Sequence, residues 1–65
     1  MSPPSQRIIE NRKFMWDGEV YPHEAEAARV AGTYRLARFD VRVVEEGGEW
    51  LLYTRRRATA EAATG

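Results

Sequence analysis

The stretch RFDVRVVEEGGEWLLYTRRR, residues 38–57, decides the fold. Apolar and polar residues alternate over 39–45, which is the period of a β-strand with one buried face. Gly47-Gly48 is typical of a two-residue hairpin turn, because both of its central positions need positive φ. Residues 49–55 then predict the returning strand. Pairing across this turn puts one set of apolar side chains on a common face: Phe39, Val41, Val43, Trp50 and Leu52.

A second hairpin and a helix are predicted before this segment. Asp17-Gly18 is a strong turn signal, so residues 12–16 and 19–21 are predicted as two short strands. Residues 24–37 show a helical stripe of small and apolar side chains, with acidic residues in the first turn and arginines in the last. The predicted fold class is α+β, a small two-layer ββαββ domain with a four-stranded antiparallel sheet and one helix on one face. A right-handed crossover favours the strand order 2-1-3-4, and the order 1-2-4-3 stays open.

Length and composition limit the organisation of the chain. Sixty-five residues allow one domain. Residues 1–11 are predicted to be a flexible arm because Pro3-Pro4 resists helix and sheet, and residues 58–65 a flexible small-residue tail. The ordered domain is then residues 12–57. The chain has no cysteine, which favours the cytoplasm, and no apolar run approaches the ~20 residues of a membrane span.

The predicted sheet carries more large apolar side chains than one alanine-rich helix can cover. So small a core usually needs a disulfide, a metal or oligomerisation. We therefore expect a non-catalytic accessory or adaptor protein that binds another protein, or a second copy of itself, through the open sheet face. The first hairpin contributes either Met15 and Val20 or Phe14, Trp16 and Tyr21. The predicted partner-binding residues are Arg42, Val44, Leu51, Tyr53, Trp16 and Tyr21.

Nucleic-acid binding is the alternative. Arg55, Arg56 and Arg57 follow the last strand, and nearby aromatic side chains could stack on bases. The formal net charge of zero weighs against this class. For an enzyme, the single histidine, His23, lacks a nucleophile or a second metal ligand. No catalytic residue, metal, cofactor or small-molecule substrate is predicted.

The segments EAEAARVA, residues 24–31, and RFDVRVVEEGGEW, residues 38–50, resemble one half of the SPOR family of peptidoglycan-binding domains. In that family a strand and an alanine-rich helix precede a hairpin. The resemblance covers about half of the chain, and the family's second helix has no counterpart in this sequence. It implies peptidoglycan binding, which ranks third after the two functions above, and no site residue carries over.

Overall fold

A computed structural model describes residues 3–57 of the chain. Its elements are β1 (Gln6–Ile9), β2 (Arg12–Tyr21), α1 (Glu24–Leu36), β3 (Phe39–Glu46) and β4 (Glu49–Arg56). The strands form one antiparallel sheet in the order β1-β2-β4-β3. The α+β class, the four-stranded antiparallel sheet and, within residues 3–57, the one helix are therefore confirmed. The predicted tail, residues 58–65, lies outside the described residues.

The first strand lies in the segment that was predicted to be a flexible arm. Residues 6–9 pair with β2, from Gln6 opposite Met15 to Ile9 opposite Arg12. The connecting turn is Glu10-Asn11, with φ values of 53° and 66°. Two consecutive positive φ values are the requirement of a tight hairpin turn, and Asn is one of the residues that tolerates it. The domain therefore begins before residue 12, and the prediction of an arm up to residue 11 is wrong.

The predicted first hairpin is a single strand. Asp17-Gly18 does not reverse the chain; β2 continues through it, and the register with β4 shifts between Trp16 and Val20. Gly18 has the expected positive φ, 87°, but uses it to form a bulge, which is the other role that glycine has in strands. Because strands 1 and 2 of the prediction both fall within β2, the favoured order 2-1-3-4 is wrong. The open alternative 1-2-4-3 has the observed order of labels but assigned its first two strands to other residues.

The helix and the last hairpin agree with the sequence pattern. The helix ends one residue earlier than predicted, and His23 occupies the N-cap position without a side-chain cap hydrogen bond. Gly47 and Gly48 have φ values of 60° and 84°, as the turn requires. Val43 lies opposite Leu52 in the expected pairing of β3 with β4.

Two hydrophobic cores lie on opposite faces of the sheet. The helix-side core consists of Ala27, Ala31, Val41 and Leu52. The second cluster, here called the concave core, consists of Phe14, Leu51 and Tyr53. The helix covers the first core, and the curled sheet with its N-terminal segment covers the second. The prediction of one covered face and one open face is therefore wrong.

Candidate protein-binding surface

The residues predicted to bind a partner lie in different environments. Leu51 and Tyr53 belong to the concave core and are 3% and 0% exposed, so they are not accessible in this conformation. Trp16 and Val44 are half-buried at the rim of that core. Tyr21 packs on the opposite face, against the helix-side core. The six residues therefore do not form one accessible surface.

The placement of Tyr21 follows from the continuity of β2. In a hairpin, residues paired across the turn share a face. In one strand, side chains alternate, and the described pairing puts Val20 opposite Leu51 and Tyr21 opposite Trp50. Trp16 and Val20 thus point to the concave side, and Tyr21 points to the helix side. Trp16 and Tyr21, which were predicted to bind a partner together, are therefore on opposite faces of the sheet.

The N-terminal segment closes the concave core. The hydroxyl of Tyr53 donates a 2.8 Å hydrogen bond to the Pro4 carbonyl oxygen. The backbone N–H of Trp16 donates a 2.9 Å bond to the Ser5 carbonyl oxygen. The guanidinium carbon of Arg7 lies 4.9 Å from the centre of the Tyr53 ring, and Arg7 forms an ion pair with Glu46. Residues 4–7 therefore fill the space that an open face would offer to a partner.

Arg42 closes the other part of the concave side. Its guanidinium carbon lies 5.4 Å from the centre of the Phe14 ring, and it forms an ion pair with Glu10 in the β1–β2 turn. Arg42 belongs to one edge strand and Glu10 follows the other, so the pair joins the two edges of the curled sheet. The Arg7–Glu46 pair has the same effect, because those residues also belong to the opposite edges.

A cleft of about 390 Å³ opens beside this closure. Its apolar walls come from Pro3, Pro4, Val20 and Leu51, and its rim carries Glu46 and Glu49. Glu46 already pairs with Arg7. The cleft thus has an acidic rim around a small apolar floor, without the converging polar groups of a built ligand site.

Tyr21 has a structural role that its aromatic character did not reveal. Its hydroxyl donates a 2.9 Å hydrogen bond to Asp17 Oδ2, and the Tyr34 hydroxyl donates a longer, 3.4 Å bond to the same oxygen. Burial raises the pKa of the Tyr21 phenol, and the Asp17 carboxylate raises it further. Burial likewise raises the pKa of Tyr34, with Asp17 adding to it. The carboxylate at the β2 bulge thus joins the helix to the sheet.

Opposite charges collect at opposite ends of the molecule, although the formal net charge is zero. The end of β2, the start of α1 and the β3–β4 turn lie together. One guanidinium reaches this acidic end, that of Arg7 from β1, through its ion pair with Glu46. The acidic residues at this end are Glu19, Glu24, Glu26, Glu45, Glu46 and Glu49. The basic end holds Arg12, Lys13, Arg35, Arg38, Arg55, Arg56 and Arg57, together with Glu10 and Asp40.

The three arginines of the nucleic-acid alternative are partly neutralised. Asp40 accepts hydrogen bonds from Arg57 at 3.0 Å and from Arg55 at 3.2 Å. The bond from Arg57, together with that from Arg55, lowers the pKa of the Asp40 carboxyl. Arg56 lies on the other face, with its guanidinium carbon 5.9 Å from the centre of the Phe39 ring. Only Arg56 of the three has no acidic side-chain partner within residues 3–57.

The free edge of β3 is the longest unpaired backbone surface that the described sheet presents. β3 has eight residues and pairs only with β4. In a hairpin with a two-residue turn the pair that flanks the turn is hydrogen-bonded, and such pairs recur at every second residue. Even-numbered residues of β3 therefore bond to β4, which agrees with the 3.1 Å bond from the Arg57 N–H to the Arg38 carbonyl. The N–H and C=O groups of Phe39, Val41, Val43 and Glu45 face the free edge.

The helix lies over this edge and offers it small residues. α1 makes its most extensive contacts with β3. Tyr34 contacts both Asp17 of β2 and the Phe39 ring of β3, and Ala27 and Ala31 face the sheet. In the usual right-handed crossover from β2 through α1 to β3, the flank about 100° round the helix from Ala27 overhangs the β3 edge. That flank carries Ala28 and Gly32, with Glu24 before them and Arg35 after them. A Cβ added at Gly32 would meet no atom within 4 Å, so nothing within the described chain requires glycine there.

The β1–β2 turn has one local sequence signal, Asn11, which tolerates positive φ. The prolines before it favoured an arm. The segregation of charge was hidden because residues that meet at one end of the fold are far apart in the chain. The free edge depends on strand order, which a single sequence does not determine.

No family model, curated protein or solved structure matches the chain. The resemblance to the SPOR family thus finds no support in these comparisons, and residues 3–57 contain no second helix. No described helix reaches the length and apolar character needed to cross a membrane. Within the same residues, no three His, Asp or Glu side chains are grouped as metal ligands would be.

Proposed function

We propose that the protein is a non-catalytic accessory protein that acts by binding another protein chain. The contact surface that supports this best is the free edge of β3 with the overhanging flank of α1. The absence of cysteine from the sequence is compatible with a reducing compartment such as the cytoplasm. The proposal keeps the predicted class of function and moves the contact from the concave face to the edge of the sheet.

The observation that carries this proposal is the state of the β3 edge. Natural sheets usually protect a free edge by keeping it short, by placing charged residues or proline on it, or by covering it. β3 is eight residues long and has neither lysine nor proline, and three of its four charged side chains, Asp40, Arg42 and Glu46, are already neutralised by ion pairs within the chain. On its helix side it alternates three apolar side chains: Phe39, Val41 and Val43. A strand of this kind pairs readily with a strand from another chain, which supplies main-chain hydrogen bonds for affinity and side chains for specificity.

Site-specific photo-crosslinking in the native cell tests this surface. A photoreactive amino acid replaces Val43 on the β3 edge or, as the matched control, Val20 on the concave side. The two valines are 37% and 42% exposed, so their reaction with solvent and with random collisions is comparable. We expect protein adducts from position 43 and few from position 20. Adducts from position 20 alone would move the contact to the cleft, and none from either position would remove the support for protein binding.

Nucleic-acid binding is the second candidate, and the concentration of arginines at the basic end favours it. A local positive field can attract phosphates even when the whole chain is neutral. If this candidate is correct, Arg56→Ala weakens binding of single-stranded RNA more than Arg57→Ala, because Asp40 already neutralises Arg57. A gel-shift titration at low salt measures both. No shift with the wild type, or equal losses in the two variants, contradicts it.

A further inference from the structure

We propose that the β3 edge binds the β3 edge of a second copy, antiparallel, with a two-fold axis at Val41. The two sheets would then join into one continuous sheet, and the two helices would lie side by side over the junction. This inference rests on the proposed function and names the partner of the same surface. It is carried by three features: the order of side chains on β3, the small residues on the helix flank and the separation of charge.

The side chains of β3 are complementary to themselves in this register. An axis at Val41 puts Asp40 opposite Arg42 of the second copy, and Arg42 opposite its Asp40, on the concave side. Each contact between the copies would add to ion pairs that already exist within the chain, those of Asp40 with Arg55 and Arg57 and that of Arg42 with Glu10. On the helix side, Phe39 lies opposite Val43 of the second copy, and the two Val41 residues face each other. Moving the axis by one residue in either direction would place Asp40 opposite Asp40 or Arg42 opposite Arg42, which is unfavourable for cross-strand neighbours.

The free backbone groups also match this register. With the axis at Val41, each odd-numbered residue of one β3 strand lies opposite an odd-numbered residue of the other. The odd-numbered residues are also the ones whose backbone N–H and C=O groups face the free edge. Val41 can exchange two hydrogen bonds with its copy, and each pairing of Phe39 with Val43 adds two more, giving about six. In the free protein the Val41 carbonyl accepts only a long bond, 3.3 Å, from its neighbour Arg42, which pairing would replace.

The helix flank supplies the area that a strand edge lacks. Val41 packs with Ala27 and Ala31 in the helix-side core, so an axis at Val41 passes close to the middle of α1. An antiparallel neighbour would then place Ala28 against Gly32 of the second copy. Small residues at such a crossing let two helix backbones approach closely. Glu24, at the start of one helix, would lie near Arg35, at the end of the other helix, so that opposite charges meet.

The separation of charge favours the same orientation. In an antiparallel pair the acidic end of one copy lies beside the basic end of the other, whereas a parallel pair would place like charges together. This attraction acts between exposed groups, so salt screens it. The dimer should therefore weaken as salt concentration rises.

Sedimentation equilibrium of the full chain over a wide concentration range tests the inference. We expect a reversible monomer–dimer equilibrium. Gly32→Glu should raise the dimer dissociation constant by about tenfold or more, whereas Thr33→Glu, which adds the same charge on the other flank, should change it by less than about twofold. Val43→Lys should weaken the dimer because lysine on an edge opposes strand pairing, and the matched Val20→Lys should not.

Circular dichroism of each variant shows whether it is folded. Gly32→Glu is expected to fold, because the position is open and glutamate forms helix better than glycine. A wild type that stays monomeric at all concentrations overturns the inference, as does a dimer insensitive to both Gly32→Glu and Val43→Lys. If the wild type is monomeric yet position 43 crosslinks another protein in the cell, the proposed function stands and only the identity of the partner is wrong. If both experiments are negative, both proposals fall.

Discussion

Shortening Leu51 to alanine tests whether the concave side is a core or a binding surface. Leu51 is 3% exposed and packs with Phe14 and Tyr53. Its replacement by alanine in a packed core costs about 2–5 kcal/mol, which combines lost transfer free energy with the cavity left behind. A chain of this size has a free energy of unfolding of roughly 3–10 kcal/mol. The variant should therefore lose a large fraction of its stability.

The matched control is Val20→Ala, because Val20 is the cross-strand partner of Leu51 on the same side of the sheet. Val20 is 42% exposed, so removing its methyl groups should cost about 1 kcal/mol or less. Urea unfolding followed by tryptophan fluorescence gives both values, at a concentration where sedimentation shows the monomer, because dimerisation would add to apparent stability. A loss below about 1 kcal/mol for Leu51→Ala would mean that the concave side is open and that Leu51 is free to meet a partner.

Three further outcomes follow from single contacts. Gly18→Ala should lower the free energy of unfolding by about 1–3 kcal/mol, because the φ of 87° at this position is strained for any residue other than glycine. Gly32→Ala should raise it by about 0.5–1 kcal/mol. Equal changes in urea unfolding for the two variants would contradict this. Tyr53→Phe removes the bond to the Pro4 carbonyl and should cost about 1 kcal/mol, with faster amide exchange at Trp16, and unchanged exchange would show that the N-terminal segment is not held by this bond. Because folding lowers the pKa of Asp40, its carboxylate stabilises the fold at any pH above the unfolded-state pKa, and this stability is lost as the pH falls through the folded-state pKa. Asp40→Asn should therefore be less stable than wild type at neutral pH and equally stable in acid. A difference in stability that persists at low pH would contradict this role of Asp40.

The sequence predicted the elements whose signals are local. The helix and the last hairpin follow from the spacing of apolar residues and from Gly47-Gly48. Asp17-Gly18 misled because the positive φ of Gly18 serves a bulge as well as a turn, and local sequence does not separate the two. β1 was missed because Pro3-Pro4 dominated its neighbourhood, although Asn11 carried a turn signal.

The candidate site was predictable in class but not in place. An excess of apolar side chains over one helix was visible in the sequence, and it favoured a contact on the open face. The excess is instead absorbed within the chain, because residues 4–7 fold over Tyr53 through contacts far apart in sequence. The self-complementary order of residues 39–43 was present in the sequence, but it acquires meaning only once β3 is known to lie at an edge.

The most direct test of the proposed dimer is an isotope-filtered NMR measurement on a mixture of labelled and unlabelled chains. Within one strand, Phe39 and Val43 lie about 13 Å apart, too far for a nuclear Overhauser effect. In the proposed register the Phe39 ring of one copy lies opposite the Val43 methyl groups of the other. An intermolecular effect between them is the predicted result. Dimers that show intermolecular effects only at other residues, such as Val20 and Trp16 on the concave side, would contradict the account.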